Sequence, residues 1–207
     1  MSDISGTYDV LAPRWDDWSA HVVPDVRADW ARKIDGYVAL GERIVELGCG
    51  TGVPVGRLLS ERYDYAGVDA SVGMLAKARG ALPDAPLTHA SMHSVQYRSG
   101  SLGAVVAFYS ISHTARELHA PLFAAIASWL RPGGVFVGNL NSRDDPDDFE
   151  ADWLGAGPMR WSGFDGATNR ELLAEAGFTV VETAVVHQIE PEGCHISPMW
   201  FVAQREA

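Results

Sequence analysis

The stretch VELGCGTG, residues 45–52, begins as an apolar run and ends as a glycine-rich turn. The run that starts at Arg43 has the length of a β-strand, and a segment with helical spacing begins at about Val55. Glycine lets the backbone turn sharply and lets a ligand approach the chain without a side chain in between. The next apolar run ends at Asp69. In α/β folds that have a strand, a glycine-rich turn and a helix in this order, an acidic group at the end of the second strand lies against the two hydroxyls of a ribose. This order of elements predicts a site for a ligand that contains a ribose.

Outward from this stretch, apolar runs of strand length alternate with segments of helical period, which is typical of a parallel sheet covered by helices. The predicted strands cover residues 43–47, 65–68, 87–89, 104–109, 135–140, 179–187 and 195–204. The last two strands are joined by the turn-rich EPEG sequence and are expected to pair antiparallel. The prediction is therefore an α/β fold with a Rossmann-like, seven-stranded, mostly parallel sheet, an antiparallel last strand and helices on both faces.

Several local signals predict the bounds of helices. Residues 26–37 have one apolar face, Ser71 can cap the helix that follows the second strand, and a stripe runs from Leu118 to Leu130. The sequence from Pro132 to Gly134 is expected to break the chain before the fifth strand. Thr168 fits a capping box at the start of a helix, and Gly177 is expected to end that helix. The acidic run 144–150 is expected to form a solvated loop and the start of a helix.

Composition restricts the function. A chain of 207 residues suits a single domain, here a helical lid over residues 1–40 and a core over 41–207. The net charge of −11 argues against a nucleic-acid partner, because a surface that neutralises phosphates needs clustered Lys and Arg. Two cysteines make no disulfide framework, and neither a secretory leader nor an apolar run of about 20 residues is visible. The expectation is a cytoplasmic protein without a membrane partner.

The glycine spacing distinguishes between cofactors. A dinucleotide site requires G-x-G-x-x-G, with the helix N-terminus directed at a pyrophosphate. Here the third glycine, Gly52, comes one place early and Val53 stands in its position, and no phosphate-binding lysine of the P-loop type is present. A cofactor with a ribose but no phosphate fits better.

The stretch from Glu46 to Gly52, with Asp69, resembles the cofactor motif of class I methyltransferases that use S-adenosylmethionine (SAM), of the small-molecule type with methyltransferase domain 11 or 25. The resemblance continues through GVDAS at 67–71, ASM at 90–92 and LRPGG at 130–134. The sequence YDVLA at 8–12 resembles the lid of small-molecule members. Each piece is weak alone, and the combination is specific.

This resemblance implies SAM as the cofactor, S-adenosylhomocysteine as the product and a methyl transfer by in-line displacement. The glycine loop would pass beneath the methionine part, Asp69 would bind the ribose, and Tyr8 would close over the methionine end. Ser91 stands where many relatives have an aspartate at the adenine edge, so that contact is weaker or is made by the backbone. The implied cofactor residues are Tyr8, Glu46, Gly48, Cys49, Gly50, Gly52, Asp69, Ala70, Met74, Ser91, Met92 and Tyr109.

The sequence gives weaker signals for the residues that would bind the methyl acceptor than for those that would bind the cofactor. His113 follows the fourth strand, where ligands bind in open α/β sheets, and is the candidate general base. An equally good reading gives His113 a role in shaping the pocket. The candidate substrate-binding residues are Trp15, Trp18, His113, Asn139, Arg160 and Trp161. The histidines and cysteines lack metal-ligand spacing, so no metal is predicted.

The sequence thus predicts methyl transfer from SAM to an O or N nucleophile of a small molecule, by a monomer or homodimer. A protein or peptide methyltransferase and a SAM-binding sensor or partner protein without activity remain open alternatives. An NAD-dependent oxidoreductase is disfavoured by the glycine spacing.

Overall fold

The computed structural model describes residues 4–206. The α-helices are α1 (Ser5–Leu11), α2 (Trp15–Ala20), α3 (Arg27–Arg32), α4 (Val55–Ser60), α5 (Val72–Ala81), α6 (His119–Trp129) and α7 (Gly166–Glu175). The strands are β1 (Arg43–Leu47), β2 (Asp64–Asp69), β3 (Leu87–His89), β4 (Leu102–Ala107), β5 (Leu130–Leu140), β6 (Asp145–Glu150), β7 (Met159–Gly163), β8 (Phe178–Val185), β9 (Gln188–Ile189), β10 (His195–Ile196) and β11 (Met199–Arg205). Short 3₁₀-helices cover Lys33–Gly36, Ile111–His113, Arg116–Leu118 and Trp153–Gly155.

A seven-stranded sheet with the order β3-β2-β1-β4-β5-β11-β8 forms the centre of the fold. Its pairs are parallel except those of β11, which runs antiparallel to both β5 and β8. Every residue of β4 is buried, as expected for a central strand covered on both faces. Separate apolar cores fill the two faces, one around Phe123 and Phe201 and the other around Trp30 and Trp200. The predicted fold class is confirmed.

The parallel strands bring the functional positions together. In register, Leu47 of β1 lies beside Val68 of β2, so the glycine loop and Asp69 leave the sheet at the same edge. Ser71 then caps α5 as predicted, since its hydroxyl accepts a hydrogen bond from Met74 N at 3.0 Å. This edge, at the carboxyl ends of β1, β2 and β4, is where open α/β sheets bind ligands.

Some predicted boundaries were wrong. Leu118 precedes α6 and is 40% exposed, while Leu130 already belongs to β5, so the buried stripe is shorter than predicted. The glycines after Pro132 do not break the chain, because β5 continues through them with a shift in its pairing to β4. α7 is capped by Asp165 rather than Thr168, since the carboxylate accepts hydrogen bonds from two backbone amides at the helix start.

Other differences concern the length of one helix, the type of one element and the division of one strand. The helix predicted over 26–37 ends at Arg32 and continues as a 3₁₀-helix. The acidic run is strand β6, which pairs antiparallel with β7, so the predicted loop and helix start were wrong. The strand predicted over 195–204 is divided between β10, which pairs with β9, and β11, which pairs with β8.

The N-terminal helices lie over the ligand edge of the sheet. The Asp9 carboxylate in α1 accepts hydrogen bonds from Ser71 Oγ at 2.6 Å and Gly73 N at 2.8 Å. Thr7 Oγ1 donates to Pro158 O at 2.8 Å, next to β7. Residues from α1, α2 and the β6–β7 hairpin share a small apolar core of their own. None of the helices within residues 4–206 is long and apolar enough to cross a membrane.

Candidate active site

The loop after β1 has a backbone that requires glycine. Gly48 has φ +77°, and a Cβ atom there would lie 2.3 Å from Ser110 Cβ. Ser110 Oγ in turn donates a hydrogen bond to Leu47 O at 2.7 Å, which holds the loop after β4 against the end of β1. Gly50 also has a positive φ, +55°, so the loop exposes its backbone rather than side chains to the adjoining space.

The Asp69 carboxylate supports this loop from the neighbouring strand. Its Oδ2 accepts a hydrogen bond from Gly50 N at 2.7 Å, and its Oδ1 accepts one from Ser71 N at 2.8 Å. Burial raises the pKa of Asp69 above its ordinary value, while these backbone donors act in the opposite direction. Each carboxylate oxygen has a second lone pair, so Asp69 can still accept two hydroxyl donors from a ligand.

Glu46, inside β1, is 4% exposed and accepts a hydrogen bond from Tyr65 Oη at 2.6 Å through Oε2. Burial raises the pKa of Glu46 to about 8, which the Tyr65 hydrogen bond opposes. Burial also raises the pKa of the Cys49 thiol, so this cysteine is not an activated nucleophile.

We expect Glu46→Gln to stabilise the protein increasingly as the pH rises. Between about pH 4.5 and 8 the unfolded Glu46 is ionised while the folded one keeps its proton, so the wild type loses stability over that interval. Glutamine does not titrate, and the difference in Tm should grow by about 4 °C or more between pH 5 and pH 8. Thermal unfolding of both proteins at several pH values measures this, and parallel curves would contradict the raised pKa.

Tyr8 and His113 form a hydrogen-bonded pair across 105 residues of sequence. Tyr8 Oη lies 2.7 Å from His113 Nε2, and His113 Nδ1 lies 3.0 Å from Arg160 O. A carbonyl oxygen only accepts, so Nδ1 carries the proton and Nε2 accepts from the Tyr8 hydroxyl. Burial lowers the pKa of His113 to about 4 and raises the pKa of Tyr8, so both groups are neutral at physiological pH.

A cavity of about 390 Å³ lies between the glycine loop, Asp69 and this pair. Most of the predicted cofactor residues line it, namely Tyr8, Glu46, Gly48, Cys49, Gly50, Asp69, Ala70, Met74, Ser91, Met92 and Tyr109. Gly52 does not, because it faces α5, where a Cβ would lie 2.6 Å from Leu82 Cδ1. The glycine at 52 therefore serves the contact between the loop and α5 rather than the ligand.

A second cavity, of about 400 Å³, shares the walls His113 and Thr114 with the first. The loop after β4 and the β6–β7 hairpin enclose it, and Arg160 and Trp161 line it. Arg160 Nη1 lies 2.5 Å from Asp147 Oδ1 in an ion pair. The two cavities thus share a wall at His113 and Thr114.

The other predicted substrate residues are distributed differently. Trp15 lines the first cavity and stacks on Trp18, with ring centroids 5.1 Å apart. Trp18 lines neither cavity, and its Nε1 donates to Glu192 Oε1 at 2.8 Å. Asn139 is buried, and its Oδ1 accepts a hydrogen bond from Tyr109 N at 2.6 Å, which holds the backbone of Tyr109 at its positive φ of 52°.

Arg27 is a further residue of the first cavity that the sequence pattern did not indicate. This residue begins α3 and lines the first cavity together with Glu46. Its only signal in the sequence is a basic residue at the start of an amphipathic segment, which is common on protein surfaces. Over the described range 4–206, no group of three or more histidine, cysteine, aspartate or glutamate side chains could hold a metal ion.

The fold and the glycine-loop site resemble those of class I SAM-dependent methyltransferases. Residues 44–134 match the model of a methyltransferase domain family. The match includes the glycine loop, Asp69 and β4, which confirms the resemblance found in the sequence.

Curated relatives align with part of the chain. A dTDP-3-amino-3,4,6-trideoxy-alpha-D-glucopyranose N,N-dimethyltransferase from Streptomyces venezuelae is 31% identical over 67% of this chain and 58% of its own length. A trans-aconitate 2-methyltransferase from Azoarcus sp. (strain BH72) is 35% identical over 60% of this chain and 50% of its own length. The chain thus spans 58% and 50% of the lengths of these two relatives.

Solved structures share the fold over a larger part of the chain. A SAM-dependent methyltransferase from Methanosarcina mazei superposes with a TM-score of 0.74 at 16% identity, covering 84% of this chain and 97% of that one. A second structure is the Burkholderia thailandensis 1,6-didemethyltoxoflavin-N1-methyltransferase with bound 1,6-didemethyltoxoflavin and S-adenosylhomocysteine. It superposes with a TM-score of 0.68 at 15% identity, and the superposition covers 100% of this chain and 92% of that one. At identities of 16% and 15%, these superpositions show a shared fold and nothing more.

Proposed function

We propose that this protein transfers the methyl group of SAM to an O or N nucleophile of a small molecule. The observation that carries the proposal is the meeting of the two cavities at His113. One cavity is bordered by the glycine loop and Asp69, and the other is enclosed by the β6–β7 hairpin. A nucleoside cofactor in the first and an acceptor in the second would have their reacting atoms at the shared wall.

The residues of the first cavity fit SAM. Asp69 keeps two acceptor positions for the ribose hydroxyls, and the glycine backbone leaves room beneath an extended ligand. When bound, SAM would supply a sulfonium methyl group: the acceptor's lone pair would bond to the methyl carbon while the carbon–sulfur bond breaks in line and its electrons go to the sulfur of the leaving S-adenosylhomocysteine. The protein contributes position and exclusion of water, and correct orientation alone can supply roughly 7–11 kcal/mol of the barrier reduction.

Tyr8 and His113 provide a path for the proton that a hydroxyl or amine acceptor must lose. The Tyr8 oxygen can accept that proton while the Tyr8 hydroxyl proton passes to His113 Nε2, 2.7 Å away. The imidazolium that results keeps its Nδ1–H bond to Arg160 O. Because Tyr8 occupies Nε2, His113 acts on an acceptor through Tyr8 rather than directly.

The size of the second cavity supports a small acceptor. Its volume of about 400 Å³ lies within the usual range for small-molecule sites, which is roughly 300–1,000 Å³. The named substrates of the two curated relatives are an amino sugar nucleotide and trans-aconitate, both small molecules. The net charge of −11 disfavours nucleic acid as the acceptor.

Calorimetric titration with SAM and S-adenosylhomocysteine, with NAD as the control, tests the cofactor. The purified protein is then assayed for S-adenosylhomocysteine formation with an amino sugar nucleotide and with trans-aconitate as probes. Binding of both sulfur compounds and turnover of either probe would support the proposal. Binding without turnover on small hydroxyl, amine and carboxylate acceptors would favour a SAM-binding protein without activity, and NAD binding in their place would overturn the assignment.

A further inference from the structure

We propose that the acceptor is an amine, which enters the second cavity as its ammonium ion and receives the methyl group on its nitrogen. This inference rests on the proposed function, because it names the acceptor class of that same site. Glu117 and Asp147 determine the specificity by attracting the positive charge. The same side chains repel an acceptor that carries a carboxylate.

The one cation in the lining of the second cavity already has partners. Among the described residues, the charged side chains that line this cavity are Glu117, Asp147 and Arg160. Arg160 Nη1 lies 2.5 Å from Asp147 Oδ1, and the guanidinium carbon lies 4.5 Å from the centroid of the Phe149 ring. The charge of Arg160 is therefore balanced by Asp147 before any acceptor binds.

The Glu117 carboxylate is the unbalanced charge of this cavity. Between residues 4 and 206 it makes no hydrogen bond or ion pair. Glu117 lies in the 3₁₀-helix Arg116–Leu118, directly after the segment that supplies His113 and Thr114 to the shared wall. Because Arg160 and Asp147 neutralise each other, the lining keeps one negative charge in excess.

The β6–β7 hairpin adds negative charge around the cavity. Residues 143–150, which include β6, contain five acidic residues and one arginine. Burial raises the pKa of Asp145, and three neighbouring carboxylates of this segment raise it further. An excess of charge of one sign in a concave site raises the local concentration of ions of the opposite sign. The surroundings of the cavity therefore favour an ammonium ion over a carboxylate.

Trp161 favours the same charge. It lines the second cavity, and its ring centroid lies 5.9 Å from that of His113, which belongs to the shared wall. The face of an indole ring is negative and attracts a cation. An ammonium ion near the shared wall thus has an aromatic face on one side and carboxylates around the cavity.

An ammonium ion has no lone pair and must lose a proton before it can react. Tyr8 Oη can accept this proton while the Tyr8 hydroxyl proton passes to His113 Nε2, 2.7 Å away. The nitrogen lone pair then bonds to the methyl carbon as the carbon–sulfur bond breaks and its electrons go to sulfur. The products are an N-methylammonium ion, S-adenosylhomocysteine and a proton held on His113.

The first test compares two probes of one shape and opposite charge. Cyclohexylamine is an ammonium ion at pH 7, and cyclohexanecarboxylate is an anion. Their affinities are measured by ligand-observed NMR on protein saturated with S-adenosylhomocysteine, so that the first cavity is filled. The ammonium ion should bind about 10-fold more tightly. This preference should shrink between about 0.01 M and 1 M salt, because the screening length falls from about 30 Å to 3 Å.

The second test changes the charge of the lining. Asp147→Asn breaks the ion pair and frees the Arg160 guanidinium, so cyclohexylammonium should bind about 2- to 5-fold more weakly and cyclohexanecarboxylate more tightly. Glu117→Gln should weaken cyclohexylammonium binding by a similar factor. Asp64→Asn is the matched control, because it breaks an exposed ion pair with Arg43 at the far end of β2, and it should change neither affinity.

The third test identifies the atom that is methylated. With SAM in place of S-adenosylhomocysteine, a panel of primary amines that starts with cyclohexylamine is compared with the corresponding alcohols. Mass spectrometry should show an N-methylated product from the panel of amines and none from the alcohols.

The outcomes separate this inference from the proposed function. If cyclohexanecarboxylate binds as tightly as the ammonium ion, if Asp147→Asn changes neither affinity, or if alcohols are methylated and amines are not, the amine assignment is wrong. In each of these cases methyl transfer from SAM to another class of small molecule still stands. If the wild type does not bind S-adenosylhomocysteine, the proposed function fails and this inference fails with it.

Discussion

We expect Asp69→Ala to lower the affinity for S-adenosylhomocysteine by roughly 10²- to 10⁴-fold, which corresponds to two charged hydrogen bonds. The Asp69 carboxylate can bind the ligand, and it also holds the glycine loop in place. It can accept two hydroxyls of a ribose, and it already accepts the backbone amides of Gly50 and Ser71. Alanine removes all of these contacts, so the ligand loses its partners and the glycine loop loses its support. Calorimetric titration of both proteins measures the change.

The matched control for this prediction is Asp64→Ala. Asp64 begins the same strand that Asp69 ends, and its side chain is 52% exposed beside Arg43. Its removal should leave the affinity unchanged, since exposed ion pairs contribute little and this end of β2 is opposite to the ligand edge. Equal affinities for wild type and Asp69→Ala would show that the ribose does not bind at Asp69.

Much of the central sheet could be predicted because its signals are local. The bounds of β1 and β3 agree with the structure residue by residue, since each is a short apolar or β-rich run between clear turn signals. The glycine loop was also predictable, because the positive φ angles at Gly48 and Gly50 leave few alternatives to glycine. The pattern of the segment 45–52 therefore located the ligand edge of the sheet.

Contacts between distant segments could not be predicted in the same way. β6 is acidic and reads as a loop because it forms only a two-stranded ribbon with β7, which leaves most of its residues exposed. Arg27 reaches the cavity because α3 packs against α4, and Asn139 is occupied by the backbone of Tyr109 rather than by a substrate. Such roles depend on tertiary position, for which periodicity and residue type give no signal.

We expect Tyr8→Phe to reduce turnover by about 10²- to 10⁴-fold on a hydroxyl or amine acceptor, the usual contribution of general acid–base catalysis. Phenylalanine keeps the ring that packs edge-on against Trp15 and Trp153, with centroids 5.3 Å and 5.9 Å away. It removes only the oxygen that bonds His113 Nε2. S-Adenosylhomocysteine binding should therefore remain close to that of the wild type, so that kcat falls without a matching loss of cofactor affinity.

The pH dependence distinguishes this relay from a structural role of Tyr8. Burial lowers the pKa of His113 to about 4, so the imidazole accepts a proton from Tyr8 at every pH well above that value. The ratio of wild-type to Tyr8→Phe turnover should stay constant from pH 8 to about pH 5 and fall towards one as the pH approaches 4, because protonated His113 no longer accepts. Tyr63→Phe, which removes a hydroxyl bonded to Asp35 away from both cavities, controls for the substitution itself. A ratio near one throughout, or an inflection near the ordinary histidine pKa of about 6.5, would exclude the Tyr8–His113 pair as the proton path.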